Sequence, residues 1–305
     1  MRIFGFERYG GPEVQRFFEV PTPERRDGTV LVAMRAAGVN PADIKVRTGQ
    51  RQGRVPVDFP MAMGREASGV VVSADDGSGL RPGRLVFGSC AAGSGALAEL
   101  VLLDAKQTVA VPEGVTAAEA ACIPVAIGTA WDALDELDLH AGDTLLVVGA
   151  GGGVGSHAVQ LGRLRALRVI GVASPGKRQL VLDLGAVHVA SGPGWTGGVR
   201  AVAPEGVHGL IDTVGGEILR ESSSVLRPAA AIRSTASPAL AADLGGSGVT
   251  RRRTAETYDE LARLVAAGKL APVVGGSYDF EDCAEAVALV EAGHATGRTV
   301  VTNAR

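Results

Sequence analysis

The sequence predicts an α/β protein with two kinds of domain, and three observations support this. Its 305 residues are 46% hydrophobic, which is enough to form a full core in one large or two ordinary domains. Roughly the first 115 residues carry short apolar runs separated by turn residues, a pattern typical of a compact β domain. From about residue 116 apolar runs alternate with helical spacing, which indicates βαβ units around a parallel sheet.

Four short strands are predicted in the first part of the chain, at residues 30–34, 69–72, 84–87 and 98–102. Turn signals lie between them, namely Asp27-Gly28, Asp76-Gly77 and Pro82-Gly83. Glycine and proline at such positions favour the tight turns that join short strands. Gly-rich loops are therefore expected around this β domain.

The second part begins with a helix signal at Thr116, because Glu119 stands three residues later and the two can form a capping box. Residues 144–148 form a continuous apolar run that ends in glycines, as in a strand buried on both faces. Residues 154–166 carry helical spacing, and residues 167–172 are predicted as the next strand. The remaining predicted elements are helices at 177–184, 255–267 and 281–292, and strands at 187–190, 209–212 and 299–302.

Composition excludes several classes of function. Thirty basic residues face 33 acidic ones for a net charge of −3, so no basic footprint for nucleic acid or anionic lipid is expected. No apolar run reaches the roughly 18 residues of a membrane span. The three cysteines, Cys90, Cys122 and Cys283, are too few and too far apart for a disulfide framework or a Cys-rich zinc lobe. A cytoplasmic globular protein is expected.

The most informative motif is Gly149-x-x-Gly152-x-x-Gly155, a variant of the dinucleotide-binding fingerprint. A predicted buried strand precedes it and a predicted amphipathic helix follows it, which is the context this motif requires. Glycine allows the sharp turn, the close approach of a pyrophosphate and tight packing of the helix on the sheet. The first-turn amides and the helix dipole can then hold the two phosphates.

The charge pattern behind this motif favours NADPH over NADH. Units that bind NAD place an acidic residue about 20 residues after the motif, where it holds the ribose 2′-hydroxyl. Here no acidic residue occurs from residue 157 to residue 182, and Ser174, Lys177 and Arg178 lie around the expected position. A hydroxyl with two cations can bind a 2′-phosphate that a carboxylate would repel.

The chain as a whole resembles the zinc-free medium-chain dehydrogenases/reductases, in the quinone oxidoreductase (zeta-crystallin-like) branch. The segments that carry the resemblance are 38–43, 64–71, 112–116, 128–131, the glycine motif, 212–216 and 293–298. The resemblance implies a GroES-like β domain at residues 1–117 and 268–305. It also implies a Rossmann NADP-binding domain with a doubly wound parallel sheet at residues 118–267, and commonly a homodimer.

The same resemblance bears on metal. Zinc-dependent relatives carry a Cys where this chain has Asn40, and a His-Glu pair where it has Arg65-Glu66. No thiolate or imidazole occupies these places, so no metal site is expected. Without a Lewis acid, hydride addition to a quinone or an activated alkene is favoured over carbonyl reduction, because those acceptors delocalise the incoming charge.

Residue roles follow from the resemblance. Asn40 is expected to hydrogen-bond near the nicotinamide or the substrate, and is the candidate catalytic residue. The candidate cofactor-binding residues are Asn40, Thr129, Gly149, Gly152, Gly153, Val154, Gly155, Ser174, Lys177, Arg178, Thr213, Val214 and Gly215.

Two alternative functions remain open. Ser174-Pro175-Gly176-Lys177 also resembles enoyl-thioester reductase modules of polyketide or fatty-acid assembly. The chain also departs from the family pattern. The family often has a Tyr that faces the substrate near Lys45 or just after Gly49, and this chain has none there; the usual glycine after the fifth Rossmann strand is replaced around residues 233–235. These departures suggest a protein that binds NADPH without turnover. Residues 243–253 are predicted as a loop or edge, and their basic end makes the usual dimer pairing doubtful.

Overall fold

The computed structural model describes residues 1–304 and divides the chain into two compact units. Unit 1 comprises Met1–Val125, Arg253–Gly268 and residues 274–304, and unit 2 comprises Ala126–Arg252 and Lys269–Val273. A two-domain α/β architecture is therefore confirmed, with a β-rich unit and a unit built on a parallel sheet. The two units are described separately below.

Unit 1 is built on two sheets. A three-stranded sheet has the order β2-β1-β4, formed by β1 (Arg2–Phe6), β2 (Gln15–Glu19) and β4 (Met61–Ala62). The second sheet has the order β13-β14-β3-β5-β6-β7. Its strands are β3 (Thr29–Val39), β5 (Glu66–Ser73), β6 (Leu85–Cys90), β7 (Leu100–Ala110), β13 (Val274–Asp279) and β14 (Arg298–Thr302). Because β7 also pairs with β3, four of these strands close on themselves around an apolar core.

The helices of unit 1 lie against these sheets. They are α1 (Pro41–Arg47), α2 (Ala117–Ala120), α9 (Ala255–Ala266) and α10 (Cys283–Glu291), with short 3-10 turns at Pro12–Val14 and Phe280–Asp282. The capping box expected at Thr116 is present, since the Thr116 hydroxyl accepts from the Glu119 amide and the Glu119 carboxylate accepts from the Thr116 amide. The helix start expected from the sequence is thus confirmed.

Unit 2 is a five-stranded parallel sheet in the order β10-β9-β8-β11-β12. Its strands are β8 (Thr144–Val148), β9 (Arg168–Ala173), β10 (Val187–Ala190), β11 (Val207–Asp212) and β12 (Leu226–Ser234). Every residue of β8 is buried, as its unbroken apolar run predicts for a central strand covered on both faces. Because neighbouring strands run parallel, the carboxyl ends of β8, β9 and β11 lie at the same edge of the sheet.

Among residues 1–304, unit 2 has six helices, four of which connect successive strands of the sheet. They are α3 (Gly128–Asp135), α4 (Gly153–Leu164), α5 (Arg178–Asp183), α6 (Trp195–Val202), α7 (Gly216–Ser222) and α8 (Pro238–Asp243). A π-helical turn at Ile123–Ile127 precedes α3, and 3-10 turns lie at Pro175–Lys177 and Ser223–Val225. Among residues 1–304, no helix combines the length and the apolar character needed to cross a bilayer.

The domain ranges expected from the sequence differ from the two units around α9. The sequence range 118–267 included this helix, but the structure groups Arg253–Gly268 with unit 1. The physical reason is a buried contact, because the Tyr258 hydroxyl lies 2.8 Å from Ser89 Oγ and its ring packs beside Phe87. Residues 118–125 also belong to unit 1, and Lys269–Val273 belong to unit 2.

Candidate dinucleotide site and buried polar cluster

The turn from β8 into α4 has the geometry that a dinucleotide cradle requires. Gly149 has a φ of +84°, a left-handed conformation that favours glycine. A side chain on Gly155 would collide with the carbonyl oxygen of Gly149, so the helix packs on the turn only because this position is bare. Gly152 is the N-cap of α4 and has no side chain to accept from the first-turn amides. The residues therefore fit a pyrophosphate at this helix N-terminus.

The end of β9 carries no carboxylate and is followed by a cation. β9 ends at Ala173, and the exposed Ser174 opens the 3-10 turn that leads to Lys177. The half-buried Lys177 side chain lies along Gly151, where an added Cβ would lie 3.0 Å from Lys177 Cβ and 3.2 Å from its Cγ. Burial lowers the pKa of the Lys177 ammonium. Arg178 begins α5 and is exposed.

A buried aspartate shapes the loop after β11. Asp212 is fully buried, and its Oδ1 accepts from the amides of Val214 and Gly215 at 3.0 and 2.9 Å. The Thr213 hydroxyl donates to the carbonyl of Val148 at 2.9 Å. An added Cβ on Gly149 would collide with Thr213 Oγ1 and lie 3.0 Å from Val214 Cγ2. This loop is therefore held directly beside the glycine turn.

Thr129 belongs to a different contact in unit 2. It is buried in the first turn of α3, and its hydroxyl oxygen accepts from Arg251 Nη1. The buried Asp132, one turn along, accepts from Arg251 Nε at 2.9 Å and from the Arg252 amide at 2.9 Å. The basic segment predicted as a loop or edge thus lies against α3, and no strand is assigned to residues 243–253.

Asn40 lies in unit 1, in a buried polar cluster with Glu66 and Arg298. Its Oδ1 accepts from Arg298 Nη1 at 2.8 Å, and its Nδ2 donates to Glu66 Oε1 at 3.0 Å and to the Gly38 carbonyl at 3.2 Å. Asn40 is also the N-cap of α1, where its backbone N–H donates to Asp43 Oδ2 at 2.8 Å. Both side-chain N–H groups are thus used inside unit 1, and only the carbonyl oxygen keeps a lone pair to offer.

Two carboxylates of this cluster are fully enclosed. Glu66 forms an ion pair with Arg298, and its Oε2 accepts from the Val125 amide at 2.7 Å. Burial raises the pKa of Asp43 to about 7, and the amide hydrogen bond from Asn40 opposes this rise. Burial likewise raises the pKa of the Cys90 thiol to about 12, so this cysteine is not an activated nucleophile.

Comparison with known proteins bears on both units. Two family models match the chain, "Alcohol dehydrogenase GroES-like domain" over residues 26–113 and "Zinc-binding dehydrogenase" over residues 184–301. The quinone oxidoreductase structure from Coxiella burnetii superposes with a TM-score of 0.89 at 26% identity, over 99% of each chain. The chain belongs to the medium-chain dehydrogenase/reductase family. The family indicated by the sequence motifs is therefore confirmed.

Two curated relatives of this medium-chain dehydrogenase/reductase have described activities. The 2-methylene-furan-3-one reductase of Solanum lycopersicum is 28% identical over 99% of this chain and 79% of its own length. The chloroplastic NADPH-dependent alkenal/one oxidoreductase of Arabidopsis thaliana is also 28% identical, over the same shares of the two chains. Both matches extend through unit 1 and unit 2.

The second family model is described as a zinc-binding dehydrogenase, but the side chains of this medium-chain dehydrogenase/reductase at positions 40 and 65 are not zinc ligands. Asn40 presents a carboxamide and Arg65 a guanidinium at the places where zinc-dependent relatives have a thiolate and an imidazole. The Glu66 carboxylate is already shared between Arg298, Asn40 and the Val125 amide. Within residues 1–304, no group of three or more His, Cys, Asp or Glu side chains is arranged to hold a metal ion.

The structure brings most of the predicted cofactor residues of this medium-chain dehydrogenase/reductase together. Gly149, Gly152, Gly153, Val154, Gly155, Lys177, Thr213, Val214 and Gly215 lie around the carboxyl edge of the unit 2 sheet. Sequence reasoning did not single out Asp212 as the organiser of its loop. An acidic residue ending a buried strand directly before a Gly-containing turn was the available signal. The pairing of Asn40 with Arg298 had none, because 258 residues separate them.

Proposed function

We propose that this protein is an NADPH-dependent oxidoreductase that transfers hydride to quinones or α,β-unsaturated carbonyls. The observation that carries the proposal is the Lys177 side chain lying along the glycine turn, beside a strand end that carries no carboxylate. A cation at this place attracts a 2′-phosphate, whereas an acidic residue there would bind the 2′-hydroxyl of NADH. The NADPH dependence in the Arabidopsis relative's name agrees with this cofactor.

Different residues of unit 2 would bind different parts of the cofactor. The first-turn amides of Gly153, Val154 and Gly155 would hold the pyrophosphate, with Gly149 and Gly152 allowing its close approach. Ser174, Lys177 and Arg178 would hold the 2′-phosphate. Thr213, Val214 and Gly215 would border a ribose, and Thr129 would contribute its hydroxyl from α3.

The acceptor class follows from chemistry and from the relatives. NADPH supplies a hydride from C4 of its nicotinamide, and the names of the relatives describe enone, alkenal and quinone acceptors. Such acceptors spread the added negative charge over their own conjugated system. The protein then needs mainly to orient the partners and to offer hydrogen bonds.

Asn40 would act through its carbonyl oxygen, because Glu66 and the Gly38 carbonyl engage both of its N–H groups. Replacing Asn40 with Ala should lower kcat about tenfold, the effect of losing one hydrogen bond at the reacting partners. Thr299→Val is a matched control, since Thr299 is equally buried and its hydroxyl has no partner among residues 1–304. An Asn40→Ala enzyme with the kcat of Thr299→Val would contradict the role of Asn40.

Metal independence is part of the proposal, and the amide and guanidinium at positions 40 and 65 support it. Activity should survive a strong chelator and should not increase when zinc is added. Loss of activity with the chelator, restored by stoichiometric zinc, would contradict this part.

The test of the activity follows NADPH absorbance with a panel of benzoquinones, naphthoquinones, enones, a crotonyl thioester and an unactivated ketone. Quinones or enones should oxidise NADPH, and the ketone should not. A thioester turned over far faster than every quinone and enone would instead assign the chain to the enoyl-thioester reductases. Tight NADPH binding without oxidation by any acceptor would show a binding protein without turnover.

We also propose that the protein forms a homodimer and that it is located in the cytoplasm. The first rests on the family resemblance, and light scattering on the purified protein tests it. The second is supported by the buried thiols of Cys122 and Cys283, which suit a reducing compartment. Fractionation of cells that produce the protein tests it.

A further inference from the structure

The end of β12 lies where the chain departs from the family pattern, and a serine hydroxyl there donates to a carboxylate at the end of β11. Ser234, the last residue of β12, is fully buried and donates to Asp212 Oδ2 at 2.5 Å. The same Ser234 oxygen accepts from the amide of Ser237 at 2.9 Å. One hydroxyl therefore connects the buried carboxylate of one loop with the backbone of the next.

The other oxygen of Asp212 connects this pair with the proposed cofactor site. Its Oδ1 accepts from the amides of Val214 and Gly215, and these residues follow Thr213 beside Gly149. The other carboxylate oxygen, Oδ2, accepts from the Ser234 hydroxyl, and without this donor it would be buried and unpaired, which is costly. A hydroxyl of another strand is thus linked, through Asp212, to the Thr213–Gly215 loop.

We propose that Ser234 is a positioning residue for cofactor binding, acting through Asp212 on the loop that borders the glycine turn. It does not touch the cofactor itself. This inference rests on the proposed function, and it assigns a role to a residue of the 233–235 segment, around which the chain departs from the family pattern. The Ser234 hydroxyl gives the buried Asp212 Oδ2 its donor and also accepts from the half-buried Ser237 amide, so it fixes the end of β12 against the end of β11.

The test compares Ser234→Ala with Ser222→Ala. Ser222 is an equally buried serine of unit 2, but its hydroxyl donates only to the Ile218 carbonyl of its own helix, at 2.7 Å. Both variants lose one buried hydroxyl, and Tm should decrease more in Ser234→Ala, because that variant leaves a buried carboxylate oxygen unpaired. Only Ser234→Ala should weaken NADPH binding, with Kd and KM for NADPH raised about tenfold and kcat and the acceptor KM changed less than threefold.

Asp212→Asn keeps the test decisive if Ser234→Ala does not fold. In this variant the side-chain carbonyl oxygen still accepts from the loop amides, but the NH₂ group that replaces Oδ2 cannot accept from Ser234. Its NADPH Kd should rise by a similar factor, and the double variant should be no worse than the poorer single variant by more than twofold.

Two results would overturn the inference while leaving the proposed function intact: an NADPH Kd within twofold of wild type in Ser234→Ala, or an equal loss in Ser222→Ala. Absence of NADPH binding by the wild-type protein would overturn both, and that result is read before any variant is compared.

Discussion

Replacing Lys177 with Met tests how this protein distinguishes NADPH from NADH. Methionine is unbranched and close in volume to the lysine stem, so the chain that lies along Gly151 is largely kept. What is lost is the ammonium group and its interaction with the 2′-phosphate. The two cofactors differ only in that phosphate, so NADH is a built-in control ligand.

The expected magnitude follows from the exposure of the site. A charge-assisted hydrogen bond contributes about 1.5–3 kcal/mol when it is shielded from water. Lys177 is half-buried and Ser174 and Arg178 are exposed, so solvent screens the interaction and about 1.5 kcal/mol is appropriate. That energy corresponds to a roughly tenfold weaker Kd for NADPH. The Kd for NADH should stay within about twofold.

The assay is a fluorescence titration of both cofactors against wild type, Lys177→Met and Lys269→Met. Lys269 is an exposed lysine of unit 2 and should affect neither cofactor. Equal weakening of NADPH and NADH in Lys177→Met would show that the side chain supports the glycine turn and does not read the phosphate. An unchanged NADPH Kd would refute the charge argument altogether.

Three further predictions concern ionisation and the core of unit 1. Burial lowers the pKa of Lys177, so its ammonium loses its charge at a lower pH than that of an ordinary lysine. The preference for NADPH over NADH should therefore decline as the pH rises towards that pKa, and Lys177→Met should show no such decline. Arg47→Met should lower the free energy of unfolding, measured in urea, by about 3 kcal/mol, because the fully buried guanidinium donates two hydrogen bonds to Glu291. A decrease of less than about 1 kcal/mol would contradict this prediction. Tyr258→Phe should cost about 1–2 kcal/mol by leaving Ser89 unpaired, and should cost much less in a Ser89→Ala background.

Periodicity made much of the fold predictable. The four strands expected in the first part correspond to β3, β5, β6 and β7, and the alternation after residue 116 corresponds to the parallel sheet. β1 and β2 were not predicted, because their apolar runs are short: four residues after Arg2 in β1, and two phenylalanines between Arg16 and Glu19 in β2. The range 118–267 expected for the parallel-sheet domain contains helix α9, which the structure groups with unit 1. A helical pattern does not show which core a helix packs on, and in the structure Tyr258 contacts Ser89.

The site divides in the same way. The glycine turn and Lys177 are local features, and their spacing along the chain was enough to predict them. The hydrogen bonds that position the loops join residues far apart in sequence, such as Asn40 with Arg298 and Asp212 with Ser234. No single sequence shows such pairs, since each partner alone has the composition of an ordinary buried polar residue.

Departures from a family motif can be judged only once the partners of the substituted residues are known. The resemblance implies a glycine around residues 233–235, where this chain has Ser234, and an apolar strand in the segment where it has the basic Arg251 and Arg252. In the structure, however, Ser234 donates to Asp212, and both arginines pair with the buried carboxylate of Asp132. Without these partners the two carboxylates would be buried and unpaired, at a cost in stability. Because the substituted residues have matching partners, the departures stabilise the domain that carries the proposed cofactor site, and NADPH binding by that domain remains the expected result.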